Sequence, residues 1–149
     1  QLIFYNQCLA NRNQKKLDRS FGLILGNKVE KMDTVHTKIK AIDLKFNFDT
    51  KKANLGIQID AHDSEKQQIY WDKFLSIKQW LLDEVNPDFI FDANYEVIPG
   101  KYIGYIYIPL KEKVSIHNKK SWEVVISFFN KNMLALEDFF IEYYDFIKV

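Results

Sequence analysis

The sequence predicts an α+β fold: a four-stranded, mainly antiparallel sheet in ββαββα order, preceded by an N-terminal helix, with the helices packed on one face. Three observations predict it. Strand-length stretches alternate apolar and polar residues in two turn-linked pairs, each pair is followed by apolar residues at helical spacing, and nothing in the chain resembles a linker. With 149 residues, 47% hydrophobic and 15% aromatic, three prolines and five glycines, the chain reads as one domain over 1–149 with enough apolar side chains for a core.

The first 37 residues carry the weakest pattern. "NQKKLDRSFGLILG" suits a helix ended by Gly22 or Gly26, and the rest of 1–37 reads as irregular. The clearest strand is "AIDLKFNF", in which Ile42, Leu44, Phe46 and Phe48 alternate with Asp43, Lys45 and Asn47. "DTKK" supplies a turn. "ANLGIQID" then repeats the pattern, with Ala53, Leu55, Ile57 and Ile59 inward and Asn54, Gln58 and Asp60 outward, so the two strands form a hairpin.

At Ser64 the period changes to that of a helix. "SEKQ" matches a capping box, in which Ser64 and Gln67 satisfy each other's free amides, and the helix runs to about Val85. Tyr70, Phe74, Ile77 and Leu81 form its stripe, widened by Trp71, Leu75 and Leu82, and "NPD" ends it. A second hairpin follows: "FIFDANYEV" sets Phe89, Phe91, Tyr95 and Val97 against Asp92, Asn94 and Glu96, Pro99-Gly100 turns, and "KYIGYIYIPL" returns.

The last helix has the strongest periodicity. Trp122, Ile126, Phe129, Met133, Leu136, Phe140, Tyr143 and Ile147 make an unbroken heptad stripe, and Val125, Phe128, Phe139 and Phe146 widen it beyond what an ordinary surface helix buries. Such an arc must touch more than one layer. Trp122, Phe129, Phe140 and Tyr143 are its anchors, against the sheet and the N-terminal helix or against a second copy of the chain in a homodimer. Ser121 is placed as the N-cap.

Charge sets the partner classes. The 21 basic and 20 acidic residues leave +1, no global field to draw in nucleic acid or an anionic membrane, so such binding needs a local patch. A single cysteine, Cys8, forbids an internal disulfide and makes a reducing, cytoplasmic setting the expectation. The first ten residues lack the pattern of a signal peptide, and no run is long and apolar enough for a membrane span; the start at Gln1 implies that something upstream was cut or lost.

No motif for catalysis is complete. Asp88 in "NPDFIFDANYE" resembles the first carboxylate of a magnesium nuclease, yet the returning strand holds no acid, and Glu112 is followed by Lys113 and Val114. His62 sits among Asp60, Asp63 and Glu65, but acids at a helix start are ordinary partners of its dipole. Nothing marks Cys8 and His36 as nucleophile and base. No metal or cofactor is expected. The candidate anion- or partner-binding residues are Lys113, His117, Lys119 and Lys120, which precede the last helix, where free amides attract anions. The outward sheet face carries Asp43, Lys45, Asn47, Asn54, Gln58, Asp60, Asp92, Asn94 and Glu96, with Tyr105 and Tyr107 as candidates to stack bases; four acids against one lysine disfavour phosphate, and the face is read as solvated or as a protein-contact surface.

"HTKIKAIDLKFNFDTKKANLGIQID", "YWDKFLSIKQWL" and above all "VSIHNKKSW" followed by "ISFFNKNMLALEDFFIEYYDFI" resemble a family of small bacterial proteins catalogued as a domain of unknown function, DUF4268. The resemblance runs from about Leu17 to Ile147. It implies a domain found alone or, in larger relatives, beside nuclease-like or restriction-associated regions, and it carries over no catalytic residue. The resulting expectation is a non-catalytic protein-interaction or scaffold domain; the alternative is an accessory domain of nucleic-acid metabolism or restriction and defence.

Overall fold

The computed structural model describes residues 34–149. The expected N-terminal helix and Cys8 lie outside that range. The described elements are β1 (Thr34–His36), β2 (Ile42–Phe48), β3 (Ala53–Ile59), α1 (Ser64–Ser76), α2 (Lys78–Glu84), β4 (Ile90–Ile98), β5 (Lys101–Pro109) and α3 (Lys119–Ile147). The expected ββαββα order is present. A short fifth strand, β1, is added at one edge, and the sheet order is β1-β2-β3-β5-β4 with every neighbouring pair antiparallel.

Alternation decides which way the hairpins face. Ile42, Leu44 and Phe46 of β2 and Leu55, Ile57 and Ile59 of β3 are buried on the helix-bearing face, joined there by Ile106 and Ile108 of β5. The β2–β3 turn is closed by Asp49, whose carboxylate accepts from the backbone N–H groups of Lys51 and Lys52 at 2.8 and 2.9 Å. The β4–β5 turn uses Pro99 and Gly100, the latter at φ 84°, a conformation glycine adopts without steric cost.

The helix from Ser64 is two helices. The Ser76 hydroxyl donates to the Lys73 carbonyl at 2.6 Å, and the backbone leaves helical geometry at Ile77, with φ −108° and ψ 15°. The break redirects α2 so that Leu81 joins the core. The cap also differs from expectation. Asp63, not Ser64, is the N-cap and accepts from Glu65 N–H at 2.8 Å; with the frame moved by one, Lys66 takes the position a capping box reserves for an acceptor. Gln67 instead clamps the β3–α1 loop, donating to the Ile59 carbonyl and accepting from Ala61 N–H, each at 2.8 Å. Trp71 and Gln67 lie directly over Gly104, where a Cβ would press on their side chains at 3.1 and 3.3 Å.

α3 has 29 residues, about 44 Å at the helical rise, and lies against the sheet and both shorter helices. Phe129 packs on Phe46 of β2 at 4.7 Å between ring centres, and Phe140 meets Phe74 of α1 at 6.1 Å. Most of the wide apolar arc is thereby filled within one chain: Trp122, Phe129 and Phe140 are all buried in this core, whereas Phe146 at its end is exposed. One polar contact sits inside it, where Asn86 donates to the Oδ1 of buried Asn132 at 2.9 Å and ties the α2–β4 loop to the helix.

The largest departure from the sequence reading is in β4. Asp92 pairs with Tyr105 and Tyr95 with Ile103, so Ala93 and Asn94 together oppose Gly104 in a β-bulge. One extra residue reverses the alternation. Phe89 and Phe91 keep the helix side, where Phe91 meets Trp71 edge-on at 6.1 Å. Tyr95 crosses to the other face and packs on Tyr105 at 4.8 Å.

Candidate functional site

Among the described residues no helix covers the second face of the sheet, so side chains from four strands meet there in the open. The hairpin register sets Asn47 of β2 directly opposite Asn54 of β3, and β5 places Tyr105 beside them. Asn47 Nδ2 donates to Asn54 Oδ1 at 2.9 Å and approaches the Tyr105 hydroxyl at 3.2 Å; that hydroxyl donates to the same Asn54 Oδ1 at 2.9 Å. The triangle is nearly dry. Asn54 is 4% and Tyr105 1% exposed, although both were expected to face water.

The cover comes from the bulge. Tyr95, carried onto this face, packs on Tyr105 and meets Tyr107 at 5.5 Å, while Tyr105 and Tyr107 stack at 4.8 Å and 12°. Tyr107 lies across Gly56, the only residue type that fits beneath it, since a Cβ there would stand 2.2 Å from the Ile106 carbonyl oxygen. These rings fill half of the face. The other half remains a hollow of about 300 Å³ above the amide pair, walled by Tyr95, Val97 and Ile103 on one side and by Lys45, Asp49 and Lys52 on the other.

Its charge is more balanced than the acid-dominated face the sequence suggests, with Lys45 and Lys52 beside Asp49 and Glu96, and several acids have local partners. Asp49 is occupied by turn amides, Asp60 pairs with Lys101 at 3.4 Å, and Asp92 accepts from Asn94 N–H at 3.0 Å. Glu96 accepts from Tyr102, which together with partial burial raises that phenol's pKa above its ordinary value. Lys52 has no ion pair among the described residues and stands at the rim.

The residues singled out before α3 form a different structure. Lys113, His117, Lys119 and Lys120 are all exposed, around a loop that its neighbours hold in place. Asn118 is the N-cap and accepts from Lys120 N–H at 3.1 Å. Ser121, expected in that role, is one turn further in and buried. Its hydroxyl lies 2.8 and 3.0 Å from the Asn118 and Ser115 carbonyls and accepts from Ser115 N–H at 3.2 Å. The Trp122 indole donates to the Ile116 carbonyl at 2.8 Å, and Ile116 N–H donates to the Asp49 carbonyl at 3.0 Å, which sews the loop to the β2–β3 turn. Lys119 rests 5.9 Å from the Trp122 ring centre. These lysines and the histidine converge on no common point that the structure marks.

The remaining candidates have local partners. Asp88 faces Lys111 at 3.6 Å, and Asp63 near His62 is the α1 cap. Among the described residues no three metal-binding side chains come together, and no helix is long and apolar enough to cross a membrane. Tyr143 is at the surface, stacked on Trp80 at 5.3 Å and donating to Glu84 at 2.8 Å.

With fold and surfaces in view, comparison with known proteins gives one decisive match: a family model described as "Domain of unknown function (DUF4268)" covers residues 9–144. The chain belongs to the DUF4268 family. No curated protein and no solved structure matches it. The family assignment agrees with the resemblance carried by "VSIHNKKSW" and the helix after it, and the structure explains why that segment is distinctive: Ser121, Trp122 and Asn118 each make a bond that builds the loop. The hollow of this DUF4268 domain was only partly visible in sequence. Asn47 and Asn54 were placed on the right face; Tyr95 was placed on the wrong one, and Lys52 was read only as part of a turn.

Proposed function

We propose that this DUF4268 domain is a non-catalytic interaction domain whose recognition surface is the helix-free face of its sheet. The single observation that supports the reading is the hollow itself, a polar depression above a nearly buried amide pair on a face no described element covers. The opposite face is consumed by the chain's own core. A reducing bacterial cytoplasm suits a chain with one cysteine. Site-specific photo-crosslinking in host extract tests the reading: a photoreactive side chain at Gln58 or Val97, on the open face, should capture a partner that the same group at exposed Glu123 on α3 does not. Capture from Glu123 alone would sink it.

A second surface supports self-association. Trp80, 51% exposed, stacks on Tyr143, and Phe146, one turn further along the same side of α3, is 46% exposed. Two copies meeting through this end of α3 would cover all three. Sedimentation equilibrium should then show a dimer that the double change Trp80→Ser and Phe146→Ser dissociates at least about tenfold more readily, as loss of central aromatic contacts does; a 17.8 kDa species at high concentration removes the reading. Lys113, His117, Lys119 and Lys120 support the other alternative, an accessory role in nucleic-acid metabolism or defence, through their shared exposure at a helix start.

A further inference from the structure

The amide pair beneath the hollow is only half used. Asn54 Oδ1 takes both bonds of the triangle, so Asn54 Nδ2, on a side chain 4% exposed, has no partner among the described residues. It is not sealed in either, because the hollow opens over it. Asn47 likewise spends its Nδ2 group on Asn54 and Tyr105 and leaves Oδ1 without a partner among the described residues. A donor and an acceptor are therefore left over on two residues that the register pairs and that both line the hollow. Nearly buried polar groups are rarely left without a bond, and what fills the hollow completes these.

We propose that the hollow binds a nucleotide, free or as a unit of a single strand, and the proposal rests on reading the open face as the recognition surface. The N–H and C=O groups of a base edge are the partners that Asn47 Oδ1 and Asn54 Nδ2 lack, as amide side chains serve bases in general. The flat ring has Tyr95, Val97 and Ile103 to lie against, and the phosphate has the Lys52 ammonium at the rim. A volume of about 300 Å³ is at the small end of ligand sites and favours a pyrimidine. A peptide amide would satisfy the asparagines and leave both the ring wall and the cation idle.

Titration of the ¹⁵N-labelled protein with uridine monophosphate, followed by NMR, tests this. The amides of Lys52, Asn54 and Tyr95 should shift together. Asn54→Asp keeps an oxygen for Asn47 and Tyr105 but has no N–H to give, and it should weaken binding at least about tenfold; Lys52→Gln, at the exposed rim, should do the same through loss of a charge-assisted bond. Thermal melting of both variants checks that they remain folded, and Lys52→Gln carries the test if Asn54→Asp does not. A uridine decamer that binds tenfold or more tightly than the mononucleotide points to a single strand as the source, and equal affinity points to the free nucleotide. Equal shifts with inorganic phosphate alone, equal shifts with acetamide alone, or no shift at the open face in millimolar nucleotide would each overturn the assignment. Crosslinking from Gln58 that persists while the nucleotide fails leaves the recognition face standing; loss of crosslinking with nucleotide shifts intact does the reverse.

Discussion

At Gly56 the backbone of β3 passes so close to β5 that a methyl group would meet the Ile106 carbonyl at 2.2 Å and Tyr107 Cα at 2.6 Å. Both obstacles are main chain, so neither can turn aside. Gly56→Ala should cost about 3 kcal/mol in urea unfolding, the upper part of the range for overpacking. Gly104→Ala meets only side chains, Trp71 at 3.1 Å and Gln67 at 3.3 Å, which can give way, and should cost about 1 kcal/mol. Equal losses would mean that the two close approaches are not different in kind. Tyr143 offers a pH signal. Its bond to Glu84, with burial and the charges of Glu142 and Glu84 adding to it, pushes its pKa from 10.0 up to about 12. A raised phenol pKa stabilises the fold below the ordinary value and stops doing so as pH climbs from there through about 12. Ultraviolet titration should show one late phenol that Tyr143→Phe removes; an unchanged late phase would assign it elsewhere.

Among the elements, α3 begins where two residues divide the work the sequence assigns to one. Asn118 caps the helix, and Ser121 holds the incoming loop. Asn118→Ala should lower stability by about 1 kcal/mol, as lost N-caps do. Ser121→Ala should do more than weaken the helix: it frees the Ser115 N–H and carbonyl together, and hydrogen exchange at Ser115 to Asn118 should rise in this variant but not in Asn118→Ala. Identical exchange in both would refute that division. Alternation made the two faces of β2 and β3 legible residue by residue, Asn47 and Asn54 among the outward set, and the structure adds the register that pairs them. The pattern failed in β4, where "FDANYE" shows nothing in composition to mark Ala93 and Asn94 as a bulge. The split at Ile77 was equally hidden, since Ser76 and its neighbours continue a helical pattern.

For the whole molecule, order in the sheet sets the order of stability. β3 and β5 are interior strands, whereas β4 is an edge interrupted by its bulge. Native-state exchange should therefore find the slowest amides in β3 and β5 and faster ones in β4, since edges open without global unfolding; slowest exchange in β4 would contradict this sheet order. The sequence by itself determined the α+β class, the two hairpins, most of the buried stripe of the long helix and the family, because these depend on periodicity and on side chains that must leave water. Tertiary structure alone decided which face Tyr95 occupies, that the arc of α3 packs on its own chain at Trp122, Phe129 and Phe140, and that two asparagines with unused groups line one hollow. Each of these turns on a single inserted residue or on partners distant in the chain, and neither leaves a period for the sequence to display.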